Sequence, residues 1–176
     1  MRLRVAVLGL FLFASGNAHA ADRNASLINS FQVLCTLEPP SFARIDQKAA
    51  AMKLPVHRDI DQPREGGQFA HSKSWFVSLT TGPHELSIAE ANGPAGHVVS
   101  CGISAPDPVG EAFKKELVAE MKLGQPSSET VTPDGVMRVT VWKGAFGEGT
   151  MLQLVDATPQ GHPGAMLYYI VGPSKP

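Results

Sequence analysis

Two cysteines in a chain addressed for export limit what this sequence can fold into more than any other feature. Cys35 and Cys101 are its only cysteines among 176 residues, and what they can do depends on the compartment. Arg2 and Arg4, the apolar run from Val5 to Ala14, and the small residues Ala18 and Ala20 flanking His19 form a signal peptide over residues 1–20. The mature chain is expected to begin at Ala21 and to form a single domain over residues 21–176. Outside the reducing cytosol two thiols held close together persist as a disulfide.

The flanking pattern aims both thiols at the core. Over residues 24–35, Leu27, Ile28, Phe31, Leu34 and Cys35 fall on one stripe of an α-helix. Over residues 97–105, Val99, Cys101 and Ile103 share one face of a strand, while Val98, Ser100, Gly102 and Ser104 take the other. A Cys35–Cys101 bridge would thus tie the first helix to the sheet. With Cys101 66 residues beyond Cys35, the chain-entropy model gives it about 4 kcal/mol. The competing readings are two buried free thiols or a redox pair; no Cys-x-x-Cys motif supports the latter.

Removing residues 1–20 from the 176 leaves 156, enough for one core that buries roughly 70% of the unfolded surface. All 16 acids and 13 of the 15 bases follow the signal, a mature charge of −3. The bases are scattered, without the basic stripe of a nucleic-acid binder, so nucleic acid is set aside. No stretch after Ala21 approaches the roughly 20 apolar residues of a spanning helix, and membrane insertion of the mature chain is not expected. Cys35 lies too far from the cleavage point to carry a lipid anchor. The periplasm is the leading compartment, with full secretion second.

Pro39, Pro40 and Ser41 stop the first helix and cap a second, whose apolar repeat is Phe42, Ile45, Ala49 and Met52. Residues 55–73 lose any pattern and read as a long polar loop, a type that is often functional. Strands are expected at 74–80, 84–91 and 97–105. A third helix starts at Asp107 and Pro108 and stops at Gly124, with Val109, Ala112, Phe113, Leu117 and Met121 inward and a Glu111–Lys115 pair outside. Strands at 136–143, 150–156 and 165–171 follow, with turns at 132–135, 144–149 and 158–164. The order α-α-β-β-β-α-β-β-β predicts a two-layer α+β fold, an antiparallel sheet of about six strands with about three helices on one face. A helix-plus-three-strand unit occurs twice in that order, without a residue-level repeat.

Catalytic patterns are sparse. His57, Asp59 and Asp61 would place a metal set at alternate positions of an extended segment, but polar loops contain such triplets by chance, and no histidines show metal-ligand spacing. His84, His97 and His162 border turns, where a solvated histidine is ordinary. No Gly-x-Ser-x-Gly occurs, and strand alternation does not aim Ser100, Ser104 and His97 at one another. Residues 144–149 are Gly-rich yet lack the Lys-Ser/Thr of a P-loop. Glu85 and Glu90, five apart on one strand, face opposite ways. No catalytic, metal or cofactor residue is assigned. Phe76, Trp142, Tyr168 and Arg138 either occupy the sheet face left open by the helices or complete the core.

Phe31 and Cys35 on an opening helix, Trp75 on a first strand, Cys101-Gly102-Ile103 on a third and Phe113 on the next helix make the chain resemble uncharacterised small exported proteobacterial proteins with a paired-cysteine α+β domain. The resemblance implies export and the disulfide, and supplies no catalytic residue. The function expected is a non-enzymatic module that binds an envelope protein or a small ligand. The alternative is a small periplasmic hydrolase or metal-assisted enzyme using the 55–73 loop.

Overall fold

The computed structural model describes residues 15–63, 69–79, 81–93, 96–106, 110–158 and 164–172. Residues 1–14, and with them most of the expected signal peptide, lie outside the described residues, as do Asp107, Pro108, Val109 and His162. The chain is an α+β fold: α1 (Ser15–Phe31), α2 (Phe42–Ala51) and α3 (Gly110–Glu120) lie against one face of an antiparallel sheet. The expected six strands are eight: β1 (Val56–Pro63), β2 (Phe69–Leu79), β3 (Gly82–Gly93), β4 (Gly96–Ala105), β5 (Ser128–Val131), β6 (Met137–Lys143), β7 (Thr150–Ala157) and β8 (Ala165–Val171).

Their spatial order is β1-β2-β3-β4-β8-β7-β6-β5. Two four-stranded meanders, each preceded by a helix, therefore meet through their last strands, and β4 and β8 run antiparallel. This is the topology of a unit repeated about a two-fold axis, with four strands per unit where the sequence pattern indicated three. The two strands missed are the outermost ones. β1 replaces the expected long loop, and β5 carries four residues that are all exposed. An edge strand pairs on one side only and shows both faces to water, so it needs no apolar alternation and leaves no periodic trace.

Register turns the alternation of single strands into continuous rows. On the helix side, Trp75, Leu86, Ile103, Leu167, Leu154 and Thr140 are successive cross-strand partners, and Lys73, Ile88, Cys101, Tyr169, Leu152 and Trp142 form the neighbouring row. Ile28 and Phe31 of α1, Ile45 of α2, and Phe113 and Leu117 of α3 close over these rows in one core. The buried residues described in α1 are Leu27, Ile28 and Phe31, all beyond the expected cleavage point at Ala20.

After Phe31 the helix widens into a π-turn, Gln32–Thr36, with the Leu37 amide donating to the Gln32 carbonyl at 3.2 Å. Leu34 and Cys35 are buried here. Cys35 is bonded to Cys101, their Cα atoms 5.4 Å apart. Neither thiol is free, which disposes of one competing reading.

Several local expectations are corrected. Ser41 occupies the N-cap of α2 in extended conformation, but its side chain makes no capping hydrogen bond. α3 ends at Glu120 rather than at Gly124, and Lys122 just beyond it takes the left-handed conformation (φ 52°). Ala112 is exposed, because the inward stripe is narrow and held by Phe113 and Leu117. Glu111 and Lys115 do not pair: Glu111 bonds Arg138 on β6, and Lys114 bonds Glu129 on β5. A helix lying over an edge meets oppositely charged groups across the layer, and these outcompete partners along its own surface.

Candidate functional site

Ion networks seal the two ends of the helix layer. Under α2, Lys73 of β2 lies 2.8 Å from Asp46 and 3.5 Å from Asp59, and the His71 Nε2–H donates to Asp59 at 2.8 Å. Phe42 stacks on His71 at 4.0 Å. The His71 hydrogen bond, with Lys73 beside it, holds the Asp59 carboxyl below its ordinary value, and Asp46 with Asp59 raises Lys73. Under α3, Arg138 donates to Asp156 from Nε at 3.1 Å and from its terminal nitrogen at 2.6 Å, and Asp156 is wholly buried. Donation to Asp156, reinforced by the charges of Asp156 and Glu111, raises Arg138 above its ordinary value. These groups lock helices to sheet edges and their charges are spent on one another.

The opposite sheet face is different in kind. Successive partners across it read Arg58, Ser74, Ser87, Gly102 and Tyr168, and in the next row Ile60, Ser72, Ala89, Ser100 and Ile170. Small side chains on a sheet face leave a depression where larger neighbours rise around them. Two adjoining hollows occupy it. One of about 240 Å³ is bordered by Arg58, Ile60, Ser74, Ser87 and Tyr168. The other, of about 170 Å³, is bordered by Gln62, Ala70, Ala91 and Val98. Both touch Ser72, Ala89 and Ser100, so they form one trough over β1 to β4, walled by β8.

Tyr168 forms that wall because Gly102 permits it. A Cβ at Gly102 would stand 2.4 and 2.6 Å from Cδ1 and Cε1 of the ring, so the ring lies directly on the β4 backbone. Burial, and then the charge of Glu85, push the Tyr168 hydroxyl above its ordinary value. That hydroxyl donates to the Met166 sulfur at 3.1 Å.

At the other end stands Glu85. The His57 Nδ1–H donates to its Oε1 at 3.1 Å, and His57 packs on Phe76 with ring centroids 4.4 Å apart. Burial pushes the Glu85 carboxyl up, but Ser74, His57 and Arg58 together outweigh it and hold the group below its ordinary value. Ser74 is 6% exposed and its Oγ makes no hydrogen bond of good geometry, although the Glu85 charge feels its dipole. Among the described residues Ser72 and Ser100 make no side-chain hydrogen bond within the protein, and Ser87 reaches the Gly102 carbonyl only at 3.5 Å.

The candidates named from sequence are dispersed. His57, Asp59 and Asp61 do lie on an extended strand, but the register shifts between Val56 and Arg58. That irregularity sends His57 to Glu85 on the open face, whereas Asp59 joins Lys73 under α2. Among the described residues no group of three metal-binding side chains converges. Glu85 and Glu90 do face opposite ways, Glu90 pairing with His97 at 3.5 Å. His84 is buried, with Thr81 Oγ1 at 2.9 Å and the Ser104 carbonyl at 3.1 Å, rather than solvated.

The four open-face candidates divide. Trp142 completes the core and donates from Nε1 to the Gly124 carbonyl at 3.1 Å, and Arg138 serves the ion network. Phe76, 46% exposed, and Tyr168 belong to the open face. Sequence reasoning missed Ser72, Ser74 and Ser87; their alternation with Lys73, Trp75, Leu86 and Ile88 was the available signal. No helix among the described residues is long and apolar enough to cross a membrane. No protein-family model matches this chain, and neither does any curated protein or solved structure.

Proposed function

We propose that this protein is a non-enzymatic, exported binding module, resident in the periplasm or secreted, that takes up a small ligand in the trough on its open sheet face. The observation that carries this reading is the pair of trough hydroxyls, Ser72 and Ser100, half-buried and left without side-chain hydrogen bonds among the described residues. Polar groups on a concave face that go unmet within the fold are the donors and acceptors by which a ligand is oriented. The alternative, a small hydrolase or metal-assisted enzyme built on residues 55–73, loses its geometric support, because His57 and Asp59 turn to opposite sides of the sheet.

The test is a thermal-shift screen of disulfide-intact protein against small polar metabolites, with hits located by amide chemical shifts. Hits are expected to move the amides of Ser72, Ala89 and Ser100. Hits confined to the helix side, or a flat screen together with capture of an envelope protein, would overturn the small-ligand reading. Uptake of a divalent metal that Asp59→Asn abolishes would favour the enzyme.

A further inference from the structure

We propose that the ligand of the trough is a saccharide, lying along β2 to β4 with one ring against Tyr168; this rests on the small-ligand reading above. The class follows from which polar groups are already satisfied. The charges bordering the trough offset one another: Lys73 is met by Asp46 and Asp59, and Arg58 and Glu85 stand near each other, with His57 donating a hydrogen bond to Glu85. A phosphate, a free cation or a zwitterionic peptide would have to displace these partners and would find no unmet charge to repay it.

Among the described residues Ser72 and Ser100 make no side-chain hydrogen bond within the protein, and Ser87 makes only a long one at 3.5 Å. Ser72, Ser87 and Ser100 are uncharged, and each can donate and accept, which matches a ligand made of hydroxyls that do the same. Ser72 and Ser100 stand two strands apart across Ala89, and Ser87 lies two residues from Ala89 on the strand between them. Neighbouring strands lie about 4.8 Å apart, so the three hydroxyls mark out a patch about 10 Å across. A sugar ring of one to two units spans such a patch.

The remaining features complete a sugar-shaped surface. Ala70, Ala89 and Ala91 make a floor that lets a ring approach the sheet closely. Tyr168, flattened on Gly102, offers an aromatic wall for the C–H face of a pyranose. At the rim Arg58 and Glu85 supply a planar donor and a planar acceptor for vicinal hydroxyls.

The full exported protein, oxidised at Cys35–Cys101, is titrated by isotope-edited NMR with maltotriose, cellotriose and chitotriose, and in parallel with alanyl-alanine and inorganic phosphate. A saturable response to at least one trisaccharide is expected, centred on the amides of Ser72, Ser87, Ser100 and Tyr168. Tyr168→Phe, which keeps the ring, is expected to bind within about twofold of the parent, and Ser87→Ala with Ser100→Ala to weaken binding about tenfold. Those serines are half-buried, so these variants are not expected to threaten folding, and an unchanged far-ultraviolet spectrum checks it. Saturation at these amides by alanyl-alanine or phosphate, without a trisaccharide response, would overturn the saccharide and leave the trough a ligand site. No response to any probe from the folded protein would overturn both.

Discussion

Gly102 is the position where one added methyl group tests the site and the fold together. Its Cβ would meet Tyr168 Cδ1 at 2.4 Å, Cε1 at 2.6 Å and the Leu167 carbonyl oxygen at 2.9 Å. Ordinary carbon contacts lie at about 3.5 Å, so the ring must retreat by about 1 Å or turn away. Overpacking of this kind costs about 1–3 kcal/mol. Replacing glycine within a strand returns about 0.5–1 kcal/mol of backbone entropy. Gly102→Ala is therefore expected to destabilise by about 1–2 kcal/mol in urea denaturation with an unchanged m-value. In a Tyr168→Ala background the ring clash is gone and only the Leu167 carbonyl remains close, so the same change should cost under about 1 kcal/mol. Equal cost in both backgrounds, or none in the parent, would refute the account of Tyr168 as a ring laid on bare backbone.

Other outcomes follow from the same contacts. Replacing Cys35 and Cys101 together with alanine frees a 66-residue loop and is expected to lower stability by about 4 kcal/mol by chemical denaturation; thiol labelling of native protein should find no reactive cysteine before reduction. Asp156→Ala strands a largely buried guanidinium and should cost about 3 kcal/mol, at the lower end for a broken buried pair because Arg138 keeps Glu111. Asp59, Glu85 and Glu129 all have carboxyls held below their ordinary values. Such groups stabilise the fold fully above the unfolded carboxyl values and lose that contribution as pH falls through the folded ones. The urea midpoint should accordingly drop as the pH falls below about 4.5, the ordinary glutamate value, and Asp59→Asn should make that drop shallower. A midpoint constant down to pH 3 would count against these pairs.

What was legible in the sequence was whatever local periodicity enforces. The stripe through Leu27, Phe31 and Cys35 and the alternation through Val99, Cys101 and Ile103 placed both thiols in the core, and the bridge formed between them. β8 was delimited to the residue because its buried positions, Ala165, Leu167 and Tyr169, alternate strictly. β1 and β5 were hidden because an edge strand is held by backbone hydrogen bonds to one neighbour, and those bonds carry no side-chain signature.

The site was hidden for a related reason. Serine and alanine on alternate positions of β2, β3 and β4 say only that one face is polar and small. The cross-strand register alone brings Ser74 beside Ser87, and Ser72 and Ser100 to either side of Ala89. The register shift near His57 likewise separates residues that are two apart in the chain. By itself the sequence determined the buried face of the first two helices and of the inner strands, since burial there follows the period of the local backbone. Only the tertiary structure decided which hydroxyls and charges share a surface, because that depends on pairing between strands far apart in the chain.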